Sequence, residues 1–145
     1  MIRSSTVTER RLFQITVVIA SIVPIAAGTA GAVIGPRILH GVASGGRDLE
    51  SHFRYLSGLL LGIGLAFVSC VADLDRRAGL YRALSLIVIL GGLSRLLGAI
   101  EHGSPTGANR LAFVMELIVV PLLLIWLGKI ERRAAAGIEN SGGQC

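Results

Sequence analysis

The sequence predicts an all-α fold, an up-down bundle of four transmembrane helices. Of the 145 residues, 52% are hydrophobic and only 16% are charged, whereas soluble domains carry about a quarter charged residues. The mean hydropathy is +0.71. Each apolar run is long enough to cross a hydrocarbon layer of about 30 Å as a helix, and together they define one transmembrane domain over residues 12–130. The four runs cover residues 12–34, 53–72, 79–100 and 108–128.

Residues 1–11 precede the first run as a short basic leader, expected in the cytoplasm. A basic start, an apolar centre and a small-residue end also describe a cleaved signal peptide. This run exceeds the usual apolar length of about 7–15 residues and further runs follow it, so an uncleaved span is favoured. Pro24 is expected to kink the helix. Gly28, Gly31 and Gly35 indicate either a close helix contact or a helix end that leads into a loop.

Turn and cap signals separate the later runs. Asp48 or Ser51 is expected to cap the second helix, and residues 73–77 are expected to form a tight turn. Pro121 predicts a second kink, in the fourth run. The segment 131–145 is expected to be a disordered cytoplasmic tail, since its residues from Ala134 onward are small and polar.

Glycines predict the helix-packing faces, because small residues let two helices approach closely. The second run has Gly-x-x-x-Gly spacing, and two glycines of the third run share a helical stripe with Arg95. The predicted packing positions are Gly58, Gly62, Gly91 and Gly98.

The basic residues predict the orientation. With the N-terminus inside, nine Lys and Arg residues lie on the inner side and four on the outer side, and Lys and Arg are enriched on the cytoplasmic side. We therefore expect a multi-pass protein of a bacterial inner membrane with both termini in the cytoplasm. The net charge of +5 does not indicate nucleic-acid binding, because the arginines lie at the ends of apolar runs and form no basic stripe with interleaved aromatics.

The sequence contains no motif for a cofactor, a metal or nucleophilic catalysis. Cys70 and Cys145 form no C-x-x-C motif. His40, His52 and His102 are expected on the outer side, but they lack the ligand spacing of a metal site. Gly-x-Ser-x-Gly and His-Glu-x-x-His are also missing. A non-enzymatic protein without cofactor or metal is therefore favoured.

Charged residues inside the apolar runs are the candidate functional residues, since a guanidinium in hydrocarbon costs at least ~2.5–3.5 kcal/mol. Arg95 lies about 8 Å from the outer end of the third run, and Glu116 lies about 10 Å into the fourth. Consecutive helices joined by a short loop pack antiparallel, so these side chains are expected to meet. The candidate ligand-binding residues are Arg95 and Glu116, with Arg54, Glu50, Glu101 and His102 near the same side.

Two interpretations of Arg95 and Glu116 stay open: an ion pair that fixes helix register, and a polar pocket in the outer half of the bundle that holds an anionic head group. The second predicts a non-enzymatic protein that binds a small anionic or lipid-like ligand. One alternative is an assembly subunit whose glycine faces dock on a membrane-protein partner or a second copy in the lipid bilayer. Another alternative is a small membrane enzyme or redox component.

Three motifs carry a family resemblance: Glu50-x3-Arg54-Tyr55-x2-Gly58-x3-Gly62, Ser94-Arg95-x2-Gly98-x4-Gly103-x-Pro105, and Glu116 in the last span. With these motifs, roughly residues 10–130 resemble a bacterial family of small four-helix membrane proteins catalogued as a domain of unknown function and loosely DoxX-like in layout. The resemblance implies four spans and no known activity. Ser57 stands where a glycine is expected, and His102 where an acid is expected. The implied signature positions are Arg54, Arg95, Gly98, Gly103, Pro105 and Glu116.

Overall fold

The computed structural model describes residues 2–38, 46–103 and 107–142, and within them it contains helices and no strand. The predicted all-α fold with four membrane-spanning helices is confirmed. The first three long helices are α1 (Ile2–Ile34), α2 (Arg47–Ala72) and α3 (Leu74–His102), and a short 3-10 helix, Gly35–Ile38, follows α1. The fourth helical segment consists of α4 (Gly107–Val114), a π-helical turn (Met115–Val119) and α5 (Val120–Gly142).

Four stretches of these helices are long and apolar enough to cross a membrane: Val7–Ile38, Arg47–Ala72, Leu74–Glu101 and Arg110–Ala136. Many of their large apolar side chains are exposed. Contiguous apolar surface of this kind is rare on soluble monomers, whereas hydrocarbon is its natural solvent. The protein is therefore membrane-embedded.

The helices extend beyond the apolar runs. The leader residues are helical from Ile2, and only Asp73 is non-helical within the turn expected over residues 73–77. The expected disordered tail is helical as far as Gly142. Ala134–Ala136 favour this extension, because alanine has the highest intrinsic helix propensity.

The predicted side-chain cap of α2 is wrong. Gly46 is the N-cap residue, with no side-chain cap. Its carbonyl accepts bonds from the amides of Leu49 at 3.0 Å and Glu50 at 3.3 Å. Because α2 begins at Arg47, Asp48 and Glu50 fall in its first turn, where the helix dipole favours carboxylates.

Contacts divide the chain into two compact units: Met1–Thr16 with Gly79–Cys145, and Val17–Ala78. We call the first the terminal unit and the second the central unit, and each is described by itself.

Three aromatic rings organise one end of the terminal unit. The ring of Phe13 lies 5.6 Å from that of Tyr81 and 5.5 Å from that of Trp126, both edge to face. Phe13 and Tyr81 are fully buried. Edge-to-face pairs add about 0.5–1.5 kcal/mol beyond area burial, so this cluster joins the start of α1 to α3 and α5.

Glycines carry the contact of α1 with α2 in the central unit. A Cβ at Gly28 would lie 2.5 Å from the amide nitrogen of Leu61 and 2.8 Å from the carbonyl oxygen of Ser57. A Cβ at Gly31 would lie 2.3 Å from Oγ of Ser57. Gly35 has a φ of +74° and follows the last residue of α1, the position at which helices often end in the left-handed region. Both interpretations of these glycines therefore hold, two as contacts and one as a helix end.

Candidate functional site

Arg95 on α3 and Glu116 in the π turn form an ion pair, so the predicted contact of these residues is confirmed. Nε of Arg95 donates to Oε2 of Glu116 at 3.1 Å, and Nη2 donates to Oε1 at 3.3 Å. The side chain of Arg95 is 39% exposed and that of Glu116 is 16% exposed. Two parallel bonds fix the carboxylate plane against one edge of the guanidinium.

The directions of the two helices explain how this contact closes. Arg95 lies about 10 Å before the end of α3 at His102, and Glu116 lies about 14 Å after the start of α4 at Gly107. Cα–Cβ bonds tilt toward the N-terminus of a helix. The Arg95 side chain therefore leans away from the nearer end of α3, while the Glu116 side chain leans toward the start of its own segment. The two tilts bring the charges to one level.

The π turn that carries Glu116 follows from Pro121. The amide of Val120 bonds to the carbonyl of Met115, five residues back. Pro121 has no N–H for the carbonyl of Leu117, and its ring would crowd that carbonyl in a regular helix. The wider π turn just before the proline relieves this crowding. Such turns occur frequently at functional sites.

Gly92 lets the fourth segment approach α3 at the level of the ion pair. A Cβ at Gly92 would lie 2.9 Å from Cβ of Glu116 and 2.8 Å from Cδ2 of Leu117. At Gly91, by contrast, the described structure has no atom within 4 Å of a Cβ. Because one residue turns the helix by about 100°, these neighbours face different surroundings.

The predicted packing glycines make no close contact within the described chain. At Gly58, Gly62, Gly91 and Gly98 a Cβ would meet nothing within 4 Å. Glycine spacing marks a smooth helix face, but it does not say whether that face turns toward a neighbouring helix or toward lipid. The close contacts fall instead on Gly28, Gly31, Gly64 and Gly92.

The central unit holds Arg54 by backbone carbonyls. Its Nη1 donates to the carbonyl oxygens of Ala32 at 2.7 Å and Val33 at 2.9 Å, and its Nη2 donates to Oε1 of Glu50 at 3.0 Å. These carbonyls belong to the last turn of α1, where carbonyls lack donors from their own helix. The positive charge also suits the negative end of the helix dipole. Arg54 therefore acts as a C-terminal cap for α1.

The remaining predicted site residues fall into separate places. Glu50 pairs with Arg54 in the central unit, and Glu101 is exposed in the last turn of α3. His40 and the side chain of His102 lie outside the described residues. Within the described part of the chain, no three His, Cys, Asp or Glu side chains form a group that could hold a metal ion.

The surroundings of Arg95 suit the binding of an anion. Gly91 lies one turn before it and Gly98 one turn after it on the same face. At these two positions the helix surface next to this half-exposed arginine carries no side chain. A guanidinium has a planar fork of donors that matches carboxylates and phosphates, while Glu116 engages one edge of that fork and balances the charge.

Sequence reasoning missed Gly92, the π turn and the acceptors of Arg54. The signal for the π turn was Pro121, five residues after Glu116. No sequence signal separates Gly92 from Gly91, because one lies three and the other four residues before Arg95, and both spacings place a residue on the same side of a helix. No sequence signal identifies a backbone carbonyl as the partner of an arginine.

No curated protein and no solved structure matches the chain. The family model described as a domain of unknown function (DUF4345) matches residues 12–127. The matched range contains Arg54 and both members of the Arg95–Glu116 pair, and it agrees with the predicted resemblance to a family of that description. Since the match covers most of the 145 residues, the protein belongs to the DUF4345 family.

Proposed function

We propose that this protein binds a small anionic or lipid-like ligand at Arg95 and does not catalyse a reaction. The observation that carries the proposal is a half-exposed arginine in a membrane-spanning helix with glycines one turn before and after it. An ionisable side chain in a span is costly and commonly marks a functional site. The glycines leave room for a ligand, and the guanidinium provides the charge that selects it.

Glu116 has two roles in this proposal. It neutralises Arg95 while the site is empty, which lowers the cost of the charge in hydrocarbon. It also occupies the Nε–Nη2 edge. The Arg95 side chain is 39% exposed, and the ligand approaches this exposed part, next to Gly91 and Gly98. A carboxylate or a phosphate with an apolar body fits this arrangement best.

The orientation is part of the proposal. A bacterial inner membrane with both termini in the cytoplasm is supported by the nine Lys and Arg residues on one side against four on the other. Arg95 and Glu116 then lie in the outer half of the membrane.

Native mass spectrometry of protein extracted gently from its own membrane tests the ligand proposal. Wild type is expected to retain a small adduct that Arg95→Gln loses. Arg82→Gln is the matched control, because it removes the same charge from the same helix at an exposed ion pair with Glu131, and it is expected to keep the adduct. Wild type without an adduct, or retention by Arg95→Gln of every adduct that wild type carries, contradicts the proposal.

A second candidate function, an assembly subunit, is supported by α2. Gly58 and Gly62 form an open small-residue face flanked by exposed Tyr55 and Leu59. Such spacing lets another membrane helix approach closely. If the protein is an assembly subunit, replacing both glycines with isoleucine is expected to abolish co-purification of a membrane partner or a second copy. If the ligand proposal holds, the replacement is expected to leave co-purification unchanged.

A further inference from the structure

On one face of α5, two exposed apolar side chains are followed by two cationic side chains. Leu122 and Ile125 are 59% and 56% exposed, and the exposed Lys129 and Arg132 follow on the same face at helical spacing. Among the described side chains, Lys129 and Arg132 have no ion-pair partner. We call these four residues the α5 face.

The α5 face lies at an end of the terminal unit with excess positive charge. The aromatic cluster brings the start of α1, the start of α3 and α5 together there, and ion pairs of Arg133 with Glu9 and of Arg82 with Glu131 join the same elements. Six described cations accompany these two carboxylates: Arg10, Arg11, Arg82, Lys129, Arg132 and Arg133. An anion is therefore favoured at this end, and most strongly beside the cations that no described carboxylate neutralises.

We propose that the α5 face binds an anionic phospholipid. Lys129 and Arg132 lie one helical turn apart, about 5–6 Å between Cβ atoms, so both side chains reach a single phosphate. An acyl chain then follows Ile125 and Leu122 into the hydrocarbon. The aliphatic parts of the two cationic side chains cover the glycerol region, as lysine and arginine do at membrane interfaces.

Charge favours an anionic phospholipid over other occupants of the α5 face. A zwitterionic lipid carries an ammonium group that the surrounding cations repel. A second copy of the chain, packed on the same face about a two-fold axis, would place Lys129 and Arg132 against their own equivalents. Free phosphate would satisfy the cations but leave Leu122 and Ile125 without a partner.

Trp126, the single tryptophan of the chain, lies three residues before Lys129 and reports on this face. The experiment uses full-length protein in phosphatidylcholine vesicles in which either a phosphatidylglycerol or a phosphatidylcholine fraction has brominated acyl chains. Brominated phosphatidylglycerol is expected to quench Trp126 fluorescence more strongly than brominated phosphatidylcholine does at equal mole fraction. The ratio of the two is the lipid preference. Lys129→Gln and Arg132→Gln are each expected to lower this preference about fivefold.

The control combines Arg47→Gln with Arg110→Gln, which removes two exposed cations outside the α5 face and is expected to keep the preference. If Lys129→Gln or Arg132→Gln does not fold, the charge-preserving swap of Lys129→Arg with Arg132→Lys is expected to retain the preference, and its loss contradicts the proposal. Three further outcomes overturn the proposal. Both brominated lipids quench Trp126 equally, the control variant loses the preference for phosphatidylglycerol to the same extent, or millimolar inorganic phosphate abolishes the difference in quenching. Absence of quenching by either lipid indicates a protein on this face and overturns it as well.

Discussion

Arg54 and Arg95 are two arginines in membrane-spanning helices that are satisfied in different ways. Arg54 donates to two backbone carbonyls at the end of α1 and to Glu50. Arg95 donates both bonds of its ion pair to a side chain, the carboxylate of Glu116. Two of the three named acceptors of Arg54 are backbone carbonyls, whereas the named acceptor of Arg95 is a side chain in a π turn.

This difference separates an architectural arginine from a candidate site. A backbone carbonyl has no alternative position once α1 is folded, so Arg54 contributes to the fold and is poorly suited to exchange partners. A carboxylate on a side chain is able to move by rotating about its torsions. Arg95 therefore combines a charge-balancing partner with a glycine-flanked surface on which a ligand fits.

The largest expected effect is that of Arg54→Leu. The substitution leaves the carbonyls of Ala32 and Val33 without their charged donor, and hydrogen bonds to charged groups contribute about 1.5–3 kcal/mol each. We expect the free energy of unfolding to fall by about 3 kcal/mol. Titration with denaturing detergent, followed by circular dichroism, measures this change. Arg47→Leu on the same helix is the control and should stay within about 0.5 kcal/mol.

Gly92→Ala is expected to cost about 1–3 kcal/mol, because its methyl group would overlap Cβ of Glu116 and force α3 and the fourth segment apart. Gly91→Ala is the matched control. Its methyl group meets open space, and alanine has the higher helix propensity, so its effect should be neutral or stabilising by up to about 1 kcal/mol. The same unfolding titration distinguishes them, and equal effects would show that the contact at Gly92 is not tight.

The Arg95–Glu116 pair is tested by a double-mutant cycle in the same assay. We expect Arg95→Leu and Glu116→Gln to couple by about 1 kcal/mol, since polar contacts between membrane helices contribute modestly. Glu116→Gln alone is expected to cost less than Arg95→Leu, because the amide oxygen still accepts a bond from the guanidinium. Additive effects would mean that the pair contributes nothing to the fold.

Hydropathy predicted the four spans because a membrane helix must be apolar over a fixed length. The Arg95–Glu116 contact was predictable as well, since distance along two antiparallel helices places both charges at one depth. The role of Arg54 was not, because its acceptors are the carbonyls of Ala32 and Val33, which any residue provides. Gly92 was missed in favour of Gly91 for a related reason. An apolar face toward lipid and one toward another helix have the same composition.

Glu50→Gln gives the smallest expected effect and tests most directly whether Arg54 depends on its backbone acceptors. The ion pair of Glu50 with Arg54 is half exposed, at 46% and 41% of the two side chains, and pairs of this kind contribute about 0–1 kcal/mol. Arg54 keeps both carbonyl bonds in this variant, so the free energy of unfolding should fall by less than about 1 kcal/mol. A loss as large as that of Arg54→Leu would mean that the carboxylate positions the guanidinium. In that case both arginines would depend on a side-chain partner, and the acceptor type would no longer separate the cap from the candidate site.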